Sequence, residues 1–251
     1  MIVLPNNVEF EERWEVSSGA ATLIPMHSKW KAVGVSLSAG LDSALLLYLT
    51  VKTIQKHNLN VKVVPVSIEI YNKVKNIEST VAIIKKIKEI TQFTNWGRHV
   101  KVIGSEAQAT GIEKDLLFEN TWNRLFYEWT IDFELNGITK NPPDEVRIGW
   151  KHDDYRQFNR DDPKSIYCGE LNASPHAFVD KKDIIEHYIN HNLVDELIPL
   201  TLSCDEDLDI IKKEKLSIPC GKCWWCSERR WGLESHNLSY EKSSPLNAYT
   251  E

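Results

Sequence analysis

The chain has 251 residues, 42% of them hydrophobic and 26% charged, which suits one α/β domain with an elaboration and excludes large-scale disorder. A formal net charge of −6 excludes the global basic field that holds a nucleic-acid backbone, so free nucleotides and small acids are the expected ligands. The longest apolar runs reach about a third of a membrane span and the opening residues lack a basic flank, so the expected protein is cytoplasmic, without membrane or direct nucleic-acid contacts.

Residues 1–30 are expected to add an edge strand or hairpin, because Val8, Phe10, Trp14 and Val16 alternate with polar neighbours. The first strand of the alternating pattern is read at the apolar run Ala32-Val33-Gly34-Val35. It leads into Ser36-Leu37-Ser38-Ala39-Gly40-Leu41-Asp42-Ser43 and then into a helical stretch over 44–49. Small residues between a strand and a helix let the backbone approach a polyphosphate, while unpaired amides and the helix dipole favour its charge. No Gly-Lys-Ser/Thr follows, which excludes a Walker A loop and leaves hydroxyls and Asp42 in its place. A Ser-rich turn in an unrelated α/β protein is the alternative at this point.

Residues 61–68 read as a second buried strand, 77–90 as an amphipathic helix and 99–103 as a third strand. This alternation predicts a doubly wound parallel sheet with ligands at the carboxyl ends of its strands, beside the 36–43 loop. Residues 119–135 space Trp122, Leu125, Phe126, Trp129 and Phe133 at helical intervals and are expected as one helix with an aromatic core face. After a turn over 136–144, residues 145–150 are expected as a fourth strand. The stretch 151–163, dense in Asp and Arg, is either a functional loop or a solvated excursion. Ile184, Ile185, Tyr188 and Ile189 mark a late helix over 181–191, and residues 235–251 are expected as a frayed polar tail.

Four of the five cysteines bunch late in the chain: Cys204, then Cys220, Cys223 and Cys226 at two-residue gaps. Four thiolates are what a closed tetrahedral zinc site needs, and a reducing compartment suits them better than a disulfide framework. An iron–sulfur cluster is the competing occupant. Zinc is favoured because a closed site would staple a loop-rich C-terminus that lacks periodic core residues. Cys168 lies outside the set.

Ser38-Ala39-Gly40-Leu41-Asp42-Ser43 resembles the Ser-Gly-Gly-x-Asp-Ser signature of the PP-loop ATP pyrophosphatases, which cleave ATP between its α- and β-phosphates and activate a substrate as an adenylate. Ala39 replaces the first paired glycine, a change expected to be tolerable at negative φ and disabling at positive φ. The loop together with Cys204, Cys220, Cys223 and Cys226 resembles the layout of the QueC (ExsB) family, the 7-cyano-7-deazaguanine synthases, over residues 31–234. Val179-Asp180-Lys181-Lys182-Asp183, Thr201-Leu202-Ser203-Cys204 and Cys226-Ser227-Glu228-Arg229-Arg230-Trp231-Gly232 resemble further segments of that family. Ile148-Gly149 followed by Asp154-Tyr155 does so more loosely.

The resemblance implies a Rossmann-like sheet of the adenine nucleotide hydrolase type over residues 31–200, after the 1–30 extension. A zinc-binding element over 201–234 and the 235–251 tail would follow. ATP would be held by Ser36, Ser38, Ala39, Gly40, Leu41, Asp42 and Ser43 with Mg²⁺, and by Arg124, which the residues alone read equally well as surface. Asp42, Ser43 and Lys181 are the implied catalytic residues. Asp153, Asp154 and Tyr155 would read the deazaguanine, with a plain surface loop as the alternative, and Cys204, Cys220, Cys223 and Cys226 would hold Zn²⁺.

Members of that family activate 7-carboxy-7-deazaguanine with ATP, add ammonia to give an amide and dehydrate it to the nitrile. This chain departs from the usual Asp-Tyr-Gly-Gln-Arg-His-like stretch, carrying Glu69-Ile70-Tyr71-Asn72-Lys73-Val74 instead. Three readings stay open: the synthase, a QueC-like ligase of antiphage CBASS systems that joins the deazaguanine to a protein amine such as that of the signalling nucleotidyltransferase, and an inactive nucleotide-binding module. The expected partners are a small deazaguanine, a protein acceptor in the ligase reading, and a second copy if the chain forms a homodimer.

Overall fold

The computed structural model describes residues 4–71, 77–108, 110–128, 130–150, 160–161, 163–204, 206, 208–214 and 219–240. Strands β1 (Phe10–Glu15) and β2 (Ala21–Met26) pair antiparallel, from Phe10 opposite Met26 to Glu15 opposite Ala21. This hairpin is not a loose appendage. Val8, Ala21, Leu23, Ile24 and Met26 enter the main apolar core, and the buried Glu12 meets Lys56 at 2.8 Å and His57 at 2.5 Å.

The sheet proper comprises β3 (Ala32–Ser36), β4 (Lys62–Glu69), β5 (Val100–Ile103), β6 (Phe133–Leu135) and β7 (Asn172–Ala173). Its order is β5-β4-β3-β6-β7, with every pair parallel, as the strand–helix alternation predicts. Side chains of a strand alternate between faces, and the two faces sort cleanly here. Val33, Val35, Val63, Phe133 and Leu135 pack with α1 (Leu41–Lys56), α2 (Ile77–Thr91) and, later in the chain, the helix that begins at Lys181. Ala32, Val64 and Val66 pack with Trp122 and Leu125 of α3 (Gly111–Tyr127).

Two sequence expectations fail between residues 111 and 150. The helix expected over 119–135 starts earlier and stops at Tyr127, so Phe133 is a strand residue rather than part of an aromatic helix face. The switch rests on Asp132, whose carboxylate accepts from the amides of Lys31 (2.6 Å) and Ala32 (2.9 Å) and ties the chain to the start of β3. The fourth strand expected over 145–150 is instead the short helix α4 (Asp144–Arg147), started by Pro143 and two acidic residues in its first turn. Trp129 and residues 151–159 lie outside the described residues.

The late helix is α5 (Lys181–Asn190), followed by α6 (Val194–Leu197), α7 (Leu208–Glu214) and α8 (Trp224–Glu234). The last corrects the expectation of a C-terminus without core residues. α8 buries Trp224, Cys226, Glu228, Arg229, Gly232 and Leu233 along one side and packs on α5.

Helix α3 lies so close to the sheet that a Cβ on Gly34 would sit 2.8 Å from Trp122 Cζ3 and 3.0 Å from Ile131 Cδ1. Gly34→Ala is therefore expected to lose about 1–3 kcal/mol through overpacking. Urea denaturation of the variant checks this, and a parent-like midpoint would contradict the close approach.

Candidate functional site

Because the five strands are parallel, the segments that leave β3, β6 and β7 gather at one edge of the sheet. The chain runs outward from β3 to β4 and β5, then returns to β6 on the other side of β3. A crevice outside the strand ends at such a reversal is where open α/β sheets receive ligands. Residues 37–40 lie there.

The loop is shaped by its own hydroxyls. Ser43 Oγ accepts from the Ser38 amide at 3.2 Å, lies 3.2 Å from Ser38 Oγ and donates to the Gly40 carbonyl at 3.2 Å. The Leu37 amide is spent on Val66 O at 2.8 Å. Among the described residues no acceptor meets the amides of Ala39, Leu41, Asp42 and Ser43, so the first turn of α1 keeps its donors. Ser38 is exposed and Gly40 half-buried, which leaves the loop open to solvent.

Ala39 has a φ of +66°, the region in which a methyl is expected to disable the loop. An L-residue there costs roughly 1–2 kcal/mol. The methyl, however, is fully buried in the main apolar core, and the Ala39 carbonyl accepts from the Leu202 amide at 2.8 Å. Packing holds the strained residue and directs its side chain away from the solvent face of the loop.

Asp42 stands on the first turn of α1, and both of its oxygens are taken by Lys181 Nζ, one at 2.5 Å. Lys181 is fixed at the start of α5 by a capping box in which Asp180 accepts from the amides of Lys182 (2.9 Å) and Asp183 (3.1 Å), and Asp183 accepts from the Asp180 amide. Behind it stands Glu228 of α8, whose Oε2 is 3.8 Å from Lys181 Nζ and whose Oε1 accepts from Arg160 at 2.5 Å. Arg160 is bound in turn to Thr139 O and Oγ1. Four buried or half-buried charges thus alternate in sign from Arg160 to Asp42.

Neutral groups complete the floor. His176 Nε2 contacts the Asp42 carbonyl at 3.2 Å and its Nδ1 meets Thr22 Oγ1 at 2.8 Å. Burial, with the nearby Lys181 charge adding to it, pushes the His176 pKa down to about 3, so the ring is neutral and orients the start of α1. Tyr188 donates to Leu41 O at 2.8 Å. Arg229, pushed down to about 10 by burial, donates to Thr201 Oγ1 at 2.7 Å and Ile198 O at 3.1 Å. Gly137 passes so near α1 that a Cβ there would lie 3.0 Å from the Ser43 amide nitrogen.

The cysteines form a second centre at the base of α8. The sulfurs of Cys204, Cys220, Cys223 and Cys226 lie within 4.8 Å of one another, all buried, and can hold a metal ion. Amides of Lys222 (3.5 Å) and Cys223 (3.3 Å) donate to Cys220 Sγ, and the Cys220 amide donates to Cys204 Sγ at 3.4 Å. The neighbouring thiols of Cys204, Cys223 and Cys226, with a smaller contribution from the Lys222 amide, hold the Cys220 thiol below its ordinary range. Cys168 is elsewhere, beside Ser174.

Of the residues expected at the site, Ser36, Ser38, Ala39, Gly40, Leu41, Asp42, Ser43 and Lys181 come together, as do the four cysteines. Arg124 does not join them: its side chain is exposed on α3 and paired with Glu128 at 2.8 Å. Asp153, Asp154 and Tyr155 lie outside the described residues. Arg160, His176 and Glu228 were not anticipated. Nothing local in the sequence marks them, although the Asn136-Gly137 pair is a turn signal that foretells a close backbone approach.

No family model matches the sequence, and no curated protein matches it. Among solved structures the chain is similar to the U34-tRNA thiolase NcsA from Methanococcus maripaludis with its [4Fe-4S] cluster, at 17% identity and a TM-score of 0.41. That similarity covers 64% of this chain and 56% of the thiolase, so the chain spans little more than half of that protein's length.

Gly232 is where α8 touches α5, and a Cβ on it would lie 2.8 Å from both Cγ and the carbonyl oxygen of Lys181. Gly232→Ala is expected to force the helices apart and lose about 1–3 kcal/mol or more. Chemical denaturation measures that loss; an unchanged midpoint would show that the contact is slack.

Proposed function

We propose that the chain is an ATP-using enzyme of the PP-loop type that adenylates a carboxylate, with 7-carboxy-7-deazaguanine as its substrate and an amine as the acceptor. The observation that carries this reading is the open loop at the sheet reversal. It brings together amides that meet no acceptor among the described residues, the hydroxyls of Ser38 and Ser43, and the Asp42–Lys181 pair. In this reading the amides and the hydroxyls of Ser38 and Ser43 bind the pyrophosphate portion of ATP. Asp42 holds its Mg²⁺, and Lys181 offsets charge that develops on the phosphates. A carboxylate becomes a good electrophile once adenylation gives it a leaving group, so the protein's work is chiefly positioning and electrostatics.

The acceptor divides the proposal. Ammonia gives the amide and then the nitrile. The Glu69-to-Val74 departure favours a larger amine as the second reading, that of a QueC-like ligase acting on a protein acceptor. The buried methyl of Ala39 supports a loop that still admits phosphate, against an inactive module.

We further propose zinc for the thiol cluster. Tetrahedral zinc at about 2.3 Å from each sulfur needs sulfur–sulfur separations of roughly 3.8 Å, and the 3.9 Å between Cys220 and Cys226 suits one ion. An iron–sulfur cube would spread its thiolates further. Amide donation to Cys220 and Cys204 is the environment that thiolate ligands require.

Asp42→Ala is expected to lower AMP formation from ATP, Mg²⁺ and 7-carboxy-7-deazaguanine by on the order of a hundredfold or more, with the fold retained. AMP release by chromatography decides it, and parent-like output would remove Asp42 from the mechanism. Cys223→Ser is expected to purify without the metal and to melt at a lower temperature. A variant as stable and as metal-loaded as the parent would refute a structural site.

A further inference from the structure

Lys181 sits between two carboxylates of unequal engagement. Asp42 receives its ammonium with both oxygens. Glu228 spends Oε1 on Arg160, while its Oε2, fully buried, has no hydrogen-bond partner among the described residues and faces Lys181 Nζ at 3.8 Å. A buried carboxylate oxygen without a donor is costly and calls for an explanation. A carboxylate with both oxygens on a lysine is equally ill placed to receive a cation.

We propose that Glu228 is the alternative partner of Lys181: when a phosphate-bound divalent cation takes the Asp42 carboxylate, Nζ passes from Asp42 to Glu228 Oε2. Glu228 is thus a positioning residue that frees Asp42 without stranding a buried ammonium. The inference deepens the nucleotide reading above and rests on it for the cation. The geometry permits the transfer. Nζ must close roughly 1 Å to reach hydrogen-bond distance from Oε2. The lysine stem is pinned at Cγ against Gly232, which leaves the terminal torsions to carry the motion. Arg160, held by Thr139, keeps Glu228 in place while Lys181 moves.

Two measurements test this. The first uses unliganded protein and a double-mutant cycle of Asp42→Asn and Glu228→Gln, read by urea denaturation. Either single variant leaves Lys181 one carboxylate, and the double leaves none, so the double is expected to lose more stability than the two singles combined. A double that fails to fold while both singles fold is the same result. Strict additivity would overturn the sharing. The second titrates Mg²⁺ into protein with a fluorescent ATP analogue. In the parent Mg²⁺ tightens binding; in Glu228→Gln that gain is expected to shrink roughly tenfold, equivalent to about 1.4 kcal/mol, with metal-free binding far less affected. Glu228→Asp, which retains the buried charge, takes its place if the Gln variant does not fold. An unchanged Mg²⁺ gain would overturn the transfer. A parent that binds no ATP analogue would defeat the nucleotide reading instead, and the cycle would still decide whether Lys181 is shared.

Discussion

A lysine ammonium almost wholly removed from water is the constraint around which this molecule is arranged. The Lys181 side chain is only 3% exposed. Removing a partner from such a buried charge typically costs about 3–5 kcal/mol, so the groups around it are required to be present together. Asp42 comes from α1, Glu228 from α8 and Arg160 from the segment after α4. The capping box at Asp180 and Asp183 fixes where α5 begins, and Gly232 lets α8 lie against it. Each of these local features makes sense as a means of holding one ammonium beside the 37–40 loop.

The thiol cluster belongs to the same arrangement. Cys223 is the N-cap of α8 and Cys226 lies in its first turn, so an ion held by the four sulfurs would set where that helix starts and how it is rotated. Two residues beyond Cys226, Glu228 reaches Lys181, and the next, Arg229, ties α8 to Thr201 and Ile198. The thiol cluster and the candidate site are therefore joined by less than one helical turn, a stiff connection.

Much of this was readable in the sequence, for reasons that differ from place to place. The 36–43 loop declares itself because strand, small residues and helix follow one another directly, and the cysteines because their spacing has few other uses. The parallel sheet follows from alternation alone. Phe133 was misassigned because the aromatic period runs unbroken across Thr130-Ile131-Asp132, whereas the three residues of β6 are too few to show a period of their own. Residues 145–150 read as a strand only if the Pro-Pro-Asp-Glu start of a helix is overlooked. β7, with two residues, has no signal at all. Glu228 was invisible because its meaning lies in what three distant segments bring to it, and His176 because a single histidine after a proline says nothing until Thr22 and the Asp42 carbonyl are seen on either side of it.

Separation along the chain has a consequence for how such a protein is made. Asp42 and Lys181 are 139 positions apart, and Arg160 and Glu228 are 68 apart. Contacts of that span form late, because closing long loops is entropically slow. During synthesis the 37–40 loop emerges well before α5, and Asp42 lacks the Lys181 ammonium until that helix has followed it. The nascent protein therefore carries the most recognisable part of the candidate site long before it carries the residues that complete it.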